Sequence, residues 1–231
     1  MTTPLSALLL LAGLLIPALL AARLRQQALR RQTAVWLNTL HVTLELLQRL
    51  QQHRGLGGQN SAEAAEKCRQ LGEEIGNLWR RCPQDDSGLA ELDGQWRALR
   101  QTPADFAGHC RLIEQLLNAL EQLELRLATR QRRVSGLAQA CRELEDLAQL
   151  RGLAVRGAQH AHCPLPLQVQ MRYLCQRLNA DARHPQWYLP LQRLQHELID
   201  APQVRIRPGD CFALLTPLID GRLREIHMSL G

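Results

Sequence analysis

The chain has 231 residues, enough for one or two domains with a buried core, and a formal net charge of +6. Leu and Ala dominate and only two Tyr and two Phe occur, so an all-α fold is expected and a β-sheet protein is not. Lys67 is the only lysine, and the arginines form no basic stripe with stacking aromatic residues, so direct nucleic-acid binding is not expected.

The N-terminal segment, residues 1–23, is predicted to be a membrane anchor. Residues 4–22 carry no charge and are mostly Leu and Ala, and a helix needs roughly 20 apolar residues to cross a bilayer. Arginines follow this run at Arg23 and Arg25 and none precedes it, the reverse of a secretory signal peptide. The apolar run therefore predicts one transmembrane helix in the cytoplasmic (inner) membrane. The positive-inside rule predicts that the C-terminal domain, residues 24–231, lies in the cytoplasm. A buried core helix is the alternative.

Four helices are predicted in the first half of the domain. The first continues from the anchor, with apolar residues at three- and four-residue steps from Trp36 to Leu50, and ends at the glycines that begin with Gly55. A capped helix follows over about residues 61–81, and then a short helix that ends near residue 101. A hydroxyl, a proline and an acid in sequence predict that the fourth helix starts at Thr102 and runs to about residue 129.

The second half is predicted to repeat this plan. A long helix runs from about residue 132 to Arg151, and a second helix ends near residue 180. A short helix follows near residues 187–200. The last helix runs from about residue 208 to 228, with a kink at Pro217 because proline cannot donate a helical hydrogen bond.

Three pairs of short patterns recur in the same order along the chain. They are residues 47–56 and 144–153, which read L-x-x-L-x-Q-x-R-G-L; residues 106–114 and 212–220, which read F-x5-L-I-acid; and Cys68-Arg-Gln-Leu71 with Cys175-Gln-Arg-Leu178. Ordered repeats of this kind indicate an internal duplication, and chance similarity in a Leu-, Gln- and Arg-rich chain is the alternative. The predicted fold is therefore an up-down helical bundle of two pseudo-symmetric four-helix halves, about residues 24–132 and 133–231.

These residues resemble the nitrate- and nitrite-sensing (NIT) domain family, an all-helical bundle found in bacterial sensors. The resemblance covers about residues 30–228. It rests on Gln51-x-x-Arg54-Gly55, on Arg151-Gly152 and on Phe212-x-x-x-Thr216-x-x-Ile219-Asp220. It implies that Arg54 and Arg151, one from each half, bind the anion. Two departures are that His53 stands where many members have Glu, and that no output module such as a kinase fits in the chain.

The chemistry of arginine suits this ligand. Nitrate and nitrite are small monoanions, and a guanidinium group offers a planar fork of donors that stays charged. Two such groups facing each other could clamp the anion from both sides. The expected supporting residues are Gly55, Gly152, Gln52 and Gln149. The alternative is that each arginine only neutralises carbonyl groups at a helix C-terminus, worth about 0.3–1 kcal/mol.

The predicted function is a membrane-anchored sensory module that binds nitrate or nitrite, uses no cofactor and signals through a separate protein partner. The alternative is a membrane-tethered helical adaptor that has lost anion binding. A homodimer is compatible with both functions. No phosphate loop, nucleophile elbow or carboxylate pair indicates an enzyme. The seven cysteines form no C-x-x-C pair, and the spacing of His160, His162 and Cys163 matches no zinc signature, so neither a disulfide framework nor a metal site is expected.

Overall fold

A computed structural model describes residues 4–59, 61–82, 88–131, 134–180 and 183–230, with side-chain surroundings from residue 19 onward apart from Ala90 and Leu230. All regular structure in these ranges is helical, which confirms the predicted all-α helical bundle. The helices are α1 (Pro4–Gly57), α2 (Ala62–Arg81), α3 (Leu89–Leu99), α4 (Phe106–Ala128), α5 (Leu137–Gly157), α6 (Leu165–Asn179), α7 (Tyr188–Leu194) and α8 (Pro208–Leu230).

Helix α1 is 54 residues long and enters the bundle only in its second half. Its side chains are exposed from Leu19 to Gln32, and the first buried ones are Thr39 and Leu40. The predicted anchor, residues 1–23, falls mostly on residues 1–18, whose side chains lie outside the described part. Among the described residues, no helix is both long and apolar enough to cross a membrane.

Two hydrophobic clusters fill the bundle. The first is built by α1, α2, α3, α4, the beginning of α5 and the end of α8, and the second by the rest of α5 with α6, α7 and the beginning of α8. The division crosses α5 between Leu144 and Leu147. In α8 it separates Leu215 from Ile226, and Ile219 between them packs against both clusters. Helices α5 and α8 therefore contribute to both clusters.

The same packing order recurs in the two halves. Helix α1 packs on α2 and α4, and α5 packs on α6 and α8. The shorter helices follow the same rule, since α3 packs on α4 and α7 contacts α8. This recurrence supports the predicted duplication.

The Arg54-Gly55 and Arg151-Gly152 pairs lie at different distances from the C-terminal ends of their helices. Helix α1 ends three residues after Arg54, at Gly57, where a Cβ atom would lie 1.9 Å from the carbonyl oxygen of Pro103. Helix α5 instead continues six residues beyond Arg151, to Gly157. An isolated glycine costs a helix only about 1 kcal/mol relative to alanine, and burial of the residues that follow Gly152 offsets this cost.

Two other helix boundaries differ from the predicted ones. Asp105, and not Thr102, caps α4, because its carboxylate accepts a hydrogen bond from the backbone N–H of Gly108 at 2.8 Å. The predicted helix near residues 187–200 is a composite of a 3₁₀ turn, α7 and a π-helical turn at Gln195–Ile199. Helix α8 runs continuously through Pro217.

Candidate functional site

The guanidinium group of Arg54, in the last turn of α1, lies against the start of α4. It is 5.1 Å from the centroid of the Phe106 ring, and its Nη1 donates to Sγ of Cys110 at 3.3 Å. Phe106 and Cys110 are four residues apart on α4 and so share one helix face.

Arg151, in α5, makes the corresponding contacts with α8. Its guanidinium group lies 4.6 Å from the Phe212 ring centroid, and its Nη1 donates to Oγ1 of Thr216 at 3.1 Å. Phe212 and Thr216 are again four residues apart on one helix. Residues that correspond in the two sequence repeats therefore make equivalent contacts in the two halves.

Arg54 differs from Arg151 in having a buried carboxylate partner. Its Nη1 and Nη2 atoms donate to the two carboxylate oxygens of Glu145 at 2.5 and 3.1 Å, and each side chain is only 3% exposed. Gln51 and Gln149 also donate to Glu145, at 2.8 and 2.7 Å. Glu145 thus accepts four hydrogen bonds and joins α1 to α5.

This pair determines the charge state of Arg54. Burial alone would disfavour the charged guanidinium group, but the charge and hydrogen bonds of Glu145 outweigh it, so the pKa of Arg54 is above its ordinary value. A bidentate pair with every carboxylate lone pair occupied is the arrangement that makes a buried ion pair tolerable.

Arg151 and Arg156 have no carboxylate within ion-pair distance in the described part of the chain. Burial lowers the pKa of both arginines, and the positive charge of Arg54 lowers it further, whereas Asp220 acts in the opposite direction on Arg151. Arg54 therefore lies close enough to Arg151 and to Arg156 for its charge to repel theirs, and Glu145 bonds only to Arg54.

Arg156 is the site residue that sequence reasoning missed. Its guanidinium group lies 4.0 Å from the Phe106 ring centroid, so Arg156 shares this ring with Arg54. Its buried Nε atom has no hydrogen-bond partner. The available signal was that Arg156 follows Gly152 by four residues and so lies on the same face of α5.

The predicted supporting residues lie in different environments. Gln149 contacts Glu145, but Gln52 is exposed, and its neighbour Gln51 takes the corresponding place. Gly152 lies beneath the ring of Phe106, where an added Cβ atom would be 3.4 Å from the ring, and Gly55 has no such neighbour.

A buried histidine pair adjoins Arg54. The backbone carbonyl of Asp105 lies 2.7 Å from Nδ1 of His109, so this nitrogen carries the proton and Nε2 accepts from Nδ1 of His53 at 2.8 Å. Burial, and then the charges of His109 and Arg100, lower the pKa of His53 to about 4. Burial also lowers the pKa of His109, so neither ring adds a positive charge beside Arg54 near neutral pH.

A cavity of about 260 Å³ between α4, α5 and α6 borders the ion pair, with Glu145 and Gln149 in its wall. Asp146 also lines it and pairs with Arg177 at 3.1 Å. Burial raises the pKa of Asp146 to about 6, against the effect of Arg177. The cavity thus holds charged groups of both signs beside the carboxylate that neutralises Arg54.

No group of metal-binding side chains occurs within the described ranges; His160 and His162 are exposed there, and Cys163 is buried. Comparison with known proteins finds no matching family model and no significant match among the curated proteins or the solved structures. The function must therefore be argued from the arginine site itself.

Proposed function

We propose that the chain is a sensory module of the NIT type that binds a small oxyanion, nitrate or nitrite, at the arginine cluster formed by Arg54, Arg151 and Arg156. The observation that carries this proposal is the excess of positive charge in this partly buried cluster. Of the three guanidinium groups only that of Arg54 bonds to a carboxylate, and Arg151 and Arg156 have no carboxylate within ion-pair distance among the described residues. An anion bound there would relieve their repulsion.

The cluster is also placed for signalling. Arg54 belongs to α1 and Arg151 to α5, the long helices of the two halves, so an anion held by both would change how the halves are joined. Helix α1 leads from the cluster to the N-terminal segment, which we propose is the single-pass anchor in the cytoplasmic membrane, with the remainder of the chain in the cytoplasm. The output would pass to a separate protein partner.

Arg151 is the residue whose substitution tests this proposal best, because it has no carboxylate partner to lose. Arg151→Lys keeps the positive charge but removes the planar fork, so nitrate binding should weaken markedly. Arg130→Lys is the matched control, because Arg130 also stacks on an aromatic ring, that of Trp36, but far from the cluster. Trp36 precedes Arg54 by 18 residues, which is roughly 27 Å along α1. Thermal unfolding of the purified chain with increasing nitrate measures both variants. Equal nitrate responses in Arg151→Lys and the unsubstituted chain would contradict the proposal.

The Arg54–Glu145 pair favours a second candidate, a helical adaptor without a ligand. Because Glu145 already neutralises Arg54, the pair can act simply as a buried connection between α1 and α5. This candidate predicts that nitrate stabilises the chain no more than chloride does. It also predicts that Arg151→Lys changes neither response.

A further inference from the structure

The two halves differ in the residue that corresponds to Glu145. Glu145 stands 97 positions after Gln48, the same separation that relates Arg151 to Arg54. The first half therefore has a neutral amide where the second half has a carboxylate. Arg54 bonds to this carboxylate, whereas Arg151 has no carboxylate within ion-pair distance among the described residues.

The carboxylate of Glu145 has the geometry of a bound oxyanion. Its two oxygens accept from Nη1 and Nη2 of one guanidinium group, which is the bidentate mode by which arginine binds planar oxyanions. The amide groups of Gln51 and Gln149 complete the set of donors around it. A small planar anion in the same place would find the same four hydrogen bonds.

We infer that Glu145 is an internal ligand that occupies an oxyanion site at Arg54, and that a small oxyanion displaces it there. The identity of the natural anion rests on the proposed function. The existence of the site does not depend on it. The chemical class of ligand is a monoanion with two or three oxygen atoms on a planar centre, which includes nitrate, nitrite and formate.

The adjoining cavity gives the displaced side chain a place to go. Glu145 forms part of the wall of this cavity of about 260 Å³, which Arg142 and Arg177 also line. Both arginines are partly exposed, with side chains 21% and 42% accessible, and already pair with other carboxylates. A rotated Glu145 would therefore leave one guanidinium group and face two others, together with the carboxylates of Glu114 and Asp146 in the same wall.

Displacement would have two consequences. The ligand would compete with a covalently attached carboxylate, so its apparent affinity would be reduced by the fraction of molecules in which Glu145 has left Arg54. The direct connection between α1 and α5 would also be broken when the ligand binds. Occupancy of the site would thus alter the attachment of α1, the helix that leads to the N-terminal segment.

The test is anion binding to the purified full-length chain with Glu145→Gln, which keeps the shape of the side chain, reproduces the residue type at Gln48 and removes the competing charge. Since minor conformations are commonly populated at about 0.1–10%, nitrate should bind at least about tenfold more tightly to this variant. Asp146→Asn is the matched control, because it removes a buried negative charge from the same cavity wall without freeing Arg54. It should change the dissociation constant much less.

A second variant, Glu145→Ala, tests the vacated position directly. Formate and nitrate should raise its unfolding temperature in a saturable manner, whereas the same concentrations should affect the unsubstituted chain less. If either variant folds only poorly, refolding in the presence of formate measures the same rescue. Failure of every small oxyanion to stabilise or refold the variants beyond the unsubstituted chain would overturn the inference.

The outcomes separate this inference from the proposed function. If the unsubstituted chain binds nitrate but Glu145→Gln binds it equally or more weakly, the internal-ligand inference fails and the proposed function stands. If the unsubstituted chain binds formate but not nitrate, and the variants bind formate more tightly, the internal site stands and the proposed sensing function fails.

Discussion

Arg54 and Glu145 lie 91 positions apart in the sequence and form a buried bidentate ion pair that joins α1 to α5. The pair lies at the point where the two halves come together, and its carboxylate comes from the helix that carries Arg151. Arg54 and Arg151 occupy corresponding positions in the two halves, but only Arg54 is neutralised by a carboxylate. The cluster is therefore asymmetric in charge. Under the proposed function, this asymmetry would make the stability of the chain depend on anion binding.

Removal of one partner of the Arg54–Glu145 pair should lower the free energy of unfolding substantially. Glu145→Ala leaves the buried guanidinium group of Arg54 without its counter-charge, and such changes cost roughly 3–5 kcal/mol of unfolding free energy. The double variant Arg54→Met with Glu145→Leu should be much less destabilised than the sum of the single variants, because it leaves no uncompensated charge. Denaturant unfolding followed by circular dichroism measures each variant. Strict additivity would show that the two side chains are not coupled.

The predicted duplication implies a specific superposition of the two halves. Residues 24–132 and 133–231 should superpose as two similar helical halves, with Phe106 on Phe212 and Cys110 on Thr216. The basis is that Arg54 and Arg151 contact these residues in the same way. An experimental structure checks this directly. Halves that align only when these four residues are not matched would show that the sequence repeats are accidental.

The histidine pair predicts an acid-sensitive bundle. The pKa of His53 is about 4 in the folded chain, and that of His109 is also lowered, whereas both are about 6.5 in an unfolded chain. At His53 the unfolded chain thus binds more protons than the folded chain, so the free energy of unfolding should fall as the pH drops from about 6.5 to about 4. The slope from His53 should be up to about 1.4 kcal/mol per pH unit, and His109 should add to it in the same direction.

Asp146 has the opposite effect and provides an internal check. Its pKa is raised to about 6 in the folded chain, above the value of about 3.9 in an unfolded chain, so its contribution to stability increases as the pH falls through this window. Asp146→Asn should therefore steepen the acid destabilisation. His53→Gln should reduce it. An acid-unfolding curve that His53→Gln leaves unchanged would rule out the histidine pair as its cause.

The topology prediction depends on the arginines that follow the apolar run at the N-terminus. They predict that the end of the chain is cytoplasmic. Alkaline phosphatase fused after residue 231 should consequently be inactive, because this enzyme needs an oxidising compartment for its disulfides. A cytoplasmic reporter such as green fluorescent protein, fused at the same position, is the complementary control. Strong phosphatase activity would contradict the orientation.

Sequence patterns were sufficient for the helices and for the positions of Arg54 and Arg151. Apolar periodicity, caps and prolines act over a few residues, so the helices could be located to within a few positions, except around α7 and at both ends of α5. The repeated motif indicated two corresponding arginines, and their contacts with Phe106 and Phe212 are equivalent.

The remainder of the site depends on tertiary packing. The contact between Arg54 and Glu145 depends on how α5 lies against α1, and no local pattern reports this. Arg156 has Gln59 at the corresponding place in the first half, so the repeat gave no signal for it. Successive residues on a helix are about 100° apart, which is why Gln51 contacts Glu145 while Gln52 faces solvent.

The arginine cluster is tested most directly by calorimetric titration of the purified chain with nitrate, with chloride at equal ionic strength as the reference. Nitrate binding should be saturable, weakened in Arg151→Lys and retained in Arg130→Lys. Nitrate should also stabilise the chain by about 2.7 kcal/mol at a concentration 100 times the dissociation constant. Heats and stabilisation that are the same for nitrate and chloride would show that the arginine cluster is not an oxyanion site.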